Sequence, residues 1–71
     1  MLENTITVNT NLSTLDMMQD AIWATSGERE VYVDVADYAE NYMHYPPLEP
    51  SLHSKLIEAY DLGIGTVHLI A

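Results

Sequence analysis

Apolar and polar positions alternate in three short stretches of this chain and recur at helical spacing in two longer ones. In residues 5–9 (TITVN), Ile6 and Val8 fall on one side and Thr5 and Thr7 on the other, which predicts a short, half-buried strand. Asn9, Thr10 and Asn11 then end it, because their side chains compete for backbone hydrogen bonds. The next segment predicts a helix capped by Ser13, with Asp16 as the acidic partner of a capping box and Leu12 and Met17 as a hydrophobic staple. Leu15, Met18, Ala21 and Ile22 share its inward face, and Gly27 closes it. Asp16, Gln19, Asp20 and Trp23 fall opposite that face.

Residues 30–47 (EVYVDVADYAENYMHYPP) are the most informative stretch. Val31, Val33 and Val35 predict one buried side of a central strand, with Tyr32 and Asp34 on the other. Tyr38, Tyr42 and Tyr45 are spaced i, i+4, i+7, predicting a short helix over residues 36–45 that Pro46 and Pro47 stop. A second main helix starts near Pro50 or Ser51 and carries Leu52, Leu56, Ala59 and Tyr60 as its apolar stripe, with Ile57 flanking. Gly63 and Ile64 fit its C-terminal cap. In residues 66–71, Val67 and Leu69 alternate with His68 and Ile70, predicting the last strand.

The order is β-α-β-(α)-α-β: an α/β chain, a two-layer α+β sandwich with a roughly three-stranded sheet and its helices on one face. Helix-containing connections favour right-handed crossovers, and an antiparallel edge strand is the alternative arrangement. The uncovered sheet face would show Thr5, Thr7, Glu30, Tyr32, Asp34 and His68. With 71 residues the chain is expected to be a single domain, residues 1–71, with residues 1–4 as a lead-in.

Charge changes the picture more than any motif. Eleven carboxylates oppose two cations, Arg29 and Lys55, giving a formal net charge of −9. Such a field repels nucleic acid and anionic membranes and attracts basic surfaces; solubility is the plainer reason for an acidic surface. There is no cysteine, and hence no disulfide or thiolate chemistry. No apolar run is long enough for a membrane span, and the N-terminus lacks signal-peptide regions, so a cytoplasmic protein is expected.

Catalytic and metal patterns are not met. Asp34, Asp37 and Glu40 lack EF-hand spacing, His44, His53 and His68 are too scattered for a zinc motif, and Ser51, His53 and Ser54 have no nucleophile elbow. Gly63-Ile64-Gly65 follows a helix instead of opening one and lacks the lysine of a phosphate loop. The expectation is a non-enzyme without cofactor or metal.

The acidic residues read better together. Asp16 and Asp20 lie one helical turn apart, about 6 Å along the axis, and Glu30 and Asp34 are about 13 Å apart along a strand. Asp37 and Glu40 follow, with tyrosines among them that offer rigid contact area. The expected partner-binding residues are Asp16, Asp20, Trp23, Glu30, Tyr32, Asp34, Asp37, Tyr38, Glu40 and Tyr42. Three of these carry a second reading: Trp23 packs under a loop at the helix edge, and one or two of Tyr38, Tyr42 and the nearby Tyr45 cover the rim of the core.

A short, acidic, cysteine-free globular chain resembles the small inhibitors that phages encode against host nucleic-acid machinery, among them anti-CRISPR proteins, antirestriction DNA mimics and uracil-glycosylase inhibitors. The resemblance is one of size and charge. It implies stoichiometric binding to a basic surface of a nucleic-acid-binding enzyme or ribonucleoprotein complex in the host cytoplasm, with no direct contact to nucleic acid. A second resemblance, to STAS-type domains, runs through the strand ending in Val33-Asp34-Val35 and the helix and strand after it; the serine that such regulators phosphorylate has no counterpart after Asp34. An acidic partner subunit or antitoxin-like regulator, binding through Trp23 or through Tyr42 and Met43, is the alternative, and a small enzyme or metal binder the third class. A monomer, or a dimer through an exposed sheet edge, is expected.

Overall fold

In the computed structural model, which describes residues 4–27 and 29–71, two strands hold the centre of a four-stranded sheet. They are β3 (Glu30–Asp34) and β4 (Thr66–Ile70), paired antiparallel with Val31 opposite Leu69 and Val33 opposite Val67. All four side chains are buried. Facing aliphatic pairs of this kind are the unit of sheet stabilisation, and they set the register here. The edges are β1 (Thr5–Asn9), parallel to β4, and β2 (Ala24–Gly27), antiparallel to β3. The sheet order is β1-β4-β3-β2.

The chain is an α+β sandwich, as its pattern predicts, but the sheet has four strands instead of three. The extra strand comes from the expected helix over residues 13–27. Helix α1 spans only Leu12–Met18, and the chain then turns and enters β2. Thr25 and Gly27 are poor helix formers, and β2 gains a full ladder with β3 by turning back at Arg29, whose φ is +63°. The cap also moves. Asn11, not Ser13, is the N-cap, its side chain accepting from the Thr14 amide at 2.8 Å. Ile22, expected in the core, is 64% exposed, and Leu12 and Met17 lie at the surface. Trp23 takes the inward place, 4% exposed, and its carbonyl accepts from the Asp34 amide at 2.8 Å.

Helix α2 (Val35–Asn41) follows β3 directly, so Val35 opens a helix instead of closing the strand and still points into the core. Asp34 caps it by accepting from the Asp37 amide at 3.3 Å. A 3-10 turn, Tyr42–His44, and an extended passage through Pro46 and Pro47 lead to α3 (Pro50–Asp61). Leu52, Leu56 and Ala59 are buried as the stripe predicts, whereas Tyr60 is half exposed. The cap at its C-terminus is a Schellman motif: the Gly63 amide donates to the Tyr60 carbonyl and the Ile64 amide to the Ala59 carbonyl. Gly63 supplies the required positive φ, +79°.

The three helices and the inward side of the sheet form one core, built on Leu15, Met18, Trp23, Val35, Tyr38, Leu56 and the central-strand aliphatics. The helix pair joins antiparallel neighbours β3 and β4, so it makes no parallel crossover. Among the described residues no helix is long and apolar enough to cross a membrane. The expected lead-in at residues 1–3, and Glu28 before the central strand, lie outside the described residues.

Candidate functional site

Among the described residues no helix covers the second side of the sheet. Side chains alternate along each strand, so the buried valines of β3 fix Glu30, Tyr32 and Asp34 on the opposite side. The register then sets them among particular neighbours. One row crosses all four strands: Thr7, His68, Tyr32 and Thr25. The row on one side of it holds Thr5, Thr66 and Asp34, and the row on the other holds Asn9, Ile70, Glu30 and Gly27.

At the middle of this face the rings of Tyr32 and His68 lie parallel, 4.3 Å apart with 5° between their planes. His68 Nε2 sits 2.6 Å from Glu30 Oε1. A carboxylate only accepts, so Nε2 carries the proton of that bond. Glu30 thus fixes the imidazole, and the imidazole backs the exposed tyrosine ring. The result is a stacked aromatic pair, flanked by the carboxylates of Glu30 and Asp34 and surrounded by threonines. Among the described residues, no group of three or more His, Cys, Asp or Glu side chains is placed to hold a metal ion.

The expected contact residues therefore divide. Glu30, Tyr32 and Asp34 share the open face, and Asp37 stands at its rim in the first turn of α2, tied to the Asp34 carboxylate. Asp16 and Glu40 are exposed on α1 and α2, and Asp20 is exposed in the turn after α1. These three belong to the helical layer, so the carboxylates do not converge on a single surface.

Trp23 and Tyr38 are corrected outright as surface contacts: both are core residues, Tyr38 only 2% exposed. Their rings meet edge to face at 5.1 Å, and Trp23 meets Tyr45 in the same way at 4.5 Å. Tyr42 is half-buried and stacks on Tyr38 at 5.4 Å. The reading in which tyrosines cover the rim of the core is the one realised here, because a seven-residue helix over a small sheet needs large side chains to close the layer. The Tyr38 hydroxyl lies 2.6 Å from His53 Nδ1. Burial, and after it the neighbouring Tyr42, pushes the Tyr38 hydroxyl up to about 12.

His68 is absent from the expected contact residues, although its outward parity on β4 was readable. What the sequence did not carry was its neighbour: Tyr32 and Glu30 reach it only through the register of β3 on β4. No protein-family model, curated protein or solved structure matches the chain.

Proposed function

We propose that this protein is a small acidic binding module that inhibits by docking its uncovered sheet face on a basic protein surface. The observation that carries the reading is that Glu30, Tyr32 and Asp34 project together from one rigid strand, with Tyr32 stacked on His68. The exposed Tyr32 ring can take an arginine guanidinium against it, and the flanking carboxylates match its charge. The net charge of −9 steers a basic partner into encounter and disfavours self-association through the same face.

Surfaces rich in Lys and Arg are above all those that hold nucleic acid. The partner class is accordingly a nucleic-acid-binding enzyme or ribonucleoprotein, and occupation of its groove excludes its own substrate. That is stoichiometric inhibition, the mode of anti-CRISPR proteins and nucleic-acid mimics that the chain resembles in size and charge.

The test is capture from lysate on immobilised protein with elution by a salt gradient, using two variants that raise the net charge equally. Thr7→Lys with Thr25→Lys alters the open face; Glu40→Lys alters the helical layer. Loss of the captured basic protein with the first variant alone supports the reading. Equal loss with both means that only overall charge matters, and capture that resists salt assigns binding to apolar contacts instead.

A further inference from the structure

A cleft of about 550 Å³ opens in the helical layer, on the side of the molecule away from the open sheet face. Tyr42 and Met43 of the 3-10 turn, Tyr45, Pro46 and Pro47 of the extended passage, and His53 of α3 form its walls. The size lies within the range of small-molecule sites, roughly 300–1,000 Å³, as does a lining of aromatic and apolar groups with few polar ones. No Asp, Glu, Lys or Arg lines it among the described residues. A ligand with a formal charge would lose hydration there with no carboxylate, lysine or arginine to pair with, and a cation would have only the tyrosine faces to offset that loss.

The polar groups of the cleft are themselves organised. Tyr38 and His53 both line it and are joined by their 2.6 Å contact. Whichever of the two donates, the pair keeps one further donor and one further acceptor. If the tyrosine donates to Nδ1, then His53 Nε2–H is the remaining donor and the phenol oxygen the remaining acceptor. If Nδ1–H donates, the phenol O–H is the donor and Nε2 the acceptor. The Tyr38 hydroxyl stays protonated far above neutral pH, so it brings no charge to the cleft. The tyrosine rings offer faces and edges for stacking, and the two prolines line the cleft with little backbone freedom to lose.

We propose that this cleft binds an uncharged, planar aromatic small molecule bearing one hydroxyl or carbonyl group, with its rings against Tyr42 and Tyr45 and its polar group at the Tyr38–His53 pair. The site is independent of the sheet-face reading. It shares no residue with that face, and either can fail alone.

The test is a titration of the ¹⁵N-labelled protein, followed by NMR amide shifts, with three probes of one shape: 2-naphthol, 2-naphthoate and (2-naphthylmethyl)trimethylammonium. Saturable shifts confined to the segments around Tyr42, Tyr45 and His53, strongest for 2-naphthol, are expected. Met43 is 79% exposed, so Met43→Asp leaves the fold intact. It should weaken 2-naphthol about tenfold, a change of about 1.4 kcal/mol. No saturation at about 1 mM, shifts scattered over the sheet face, or tighter binding of the ammonium probe each overturns the proposal. So does a decaproline peptide that occupies the cleft when 2-naphthol does not, which would make it a peptide groove.

Discussion

Tyr38 and His53, from α2 and α3, meet with the phenol oxygen 2.6 Å from Nδ1, and this is the polar clamp between the two helices. Tyr38 is otherwise surrounded by apolar and aromatic groups, with Trp23 and Tyr42 against its ring. Its ionisation is therefore disfavoured in the folded chain, where its pKa rises from the ordinary 10.0 to about 12. The protonated form is the one the fold prefers. The stabilisation linked to it is complete below about pH 10 and is lost as pH rises towards about 12. The urea midpoint should fall across that window in the wild-type protein, and Tyr38→Phe should flatten the part due to this group.

Trp23 Nε1 is buried without a hydrogen-bond partner among the described residues. An N–H in that position already carries a desolvation cost, so its removal is cheaper than loss of the ring. Trp23→Phe should cost less than half as much stability as Trp23→Ala, for which about 3–5 kcal/mol is expected. Urea unfolding followed by circular dichroism measures both. Equal losses would mean that Nε1 has a bonding role in solution.

Gly63 has a φ of +79°, and a Cβ added there would meet no described heavy atom within 4 Å beyond its own chain neighbours. A substitution is thus felt through the backbone alone. Gly63→Ala should destabilise by about 1–2 kcal/mol, and Gly63→Asn by less, because Asn tolerates the left-handed conformation. Thermal unfolding of the pair separates backbone strain from any effect of size, since Asn is the larger residue.

Asp34 has two roles: its side chain faces outward on the sheet, and it caps α2. Asp34→Ala should lower stability by about 1 kcal/mol, and Asp34→Asn by a few tenths. The capture experiment should rank them differently, since Asn keeps the cap and discards the charge. A captured partner that leaves both variants at lower salt than the wild type separates the binding role from the folding role. Unchanged elution of Asp34→Asn would remove this carboxylate from the interface.

What the sequence determined by itself was whatever depends on near neighbours. Val31 and Val33 alternate with Tyr32 and Asp34 because a strand repeats every two residues, and that fixes the face of each before any partner strand is known. Leu52, Leu56 and Ala59 share a stripe for the equivalent reason in a helix, and Gly63 marks its end because the cap is closed within a few residues. Tertiary structure decided the rest. Leu15, Met18 and Ile22 fit a helical stripe, yet the chain leaves the helix after Met18, because Ala24–Gly27 pairs better with β3 than it continues a turn. That exchange turned Ile22 outward and drew Trp23 in. The meeting of Glu30 with His68, 38 residues apart, has no local signal, since it follows from the register of two strands separated by two helices. The cleft is equally nonlocal: its walls are near in sequence, but its depth depends on where α3 settles against Tyr38, which the packing of the core decides.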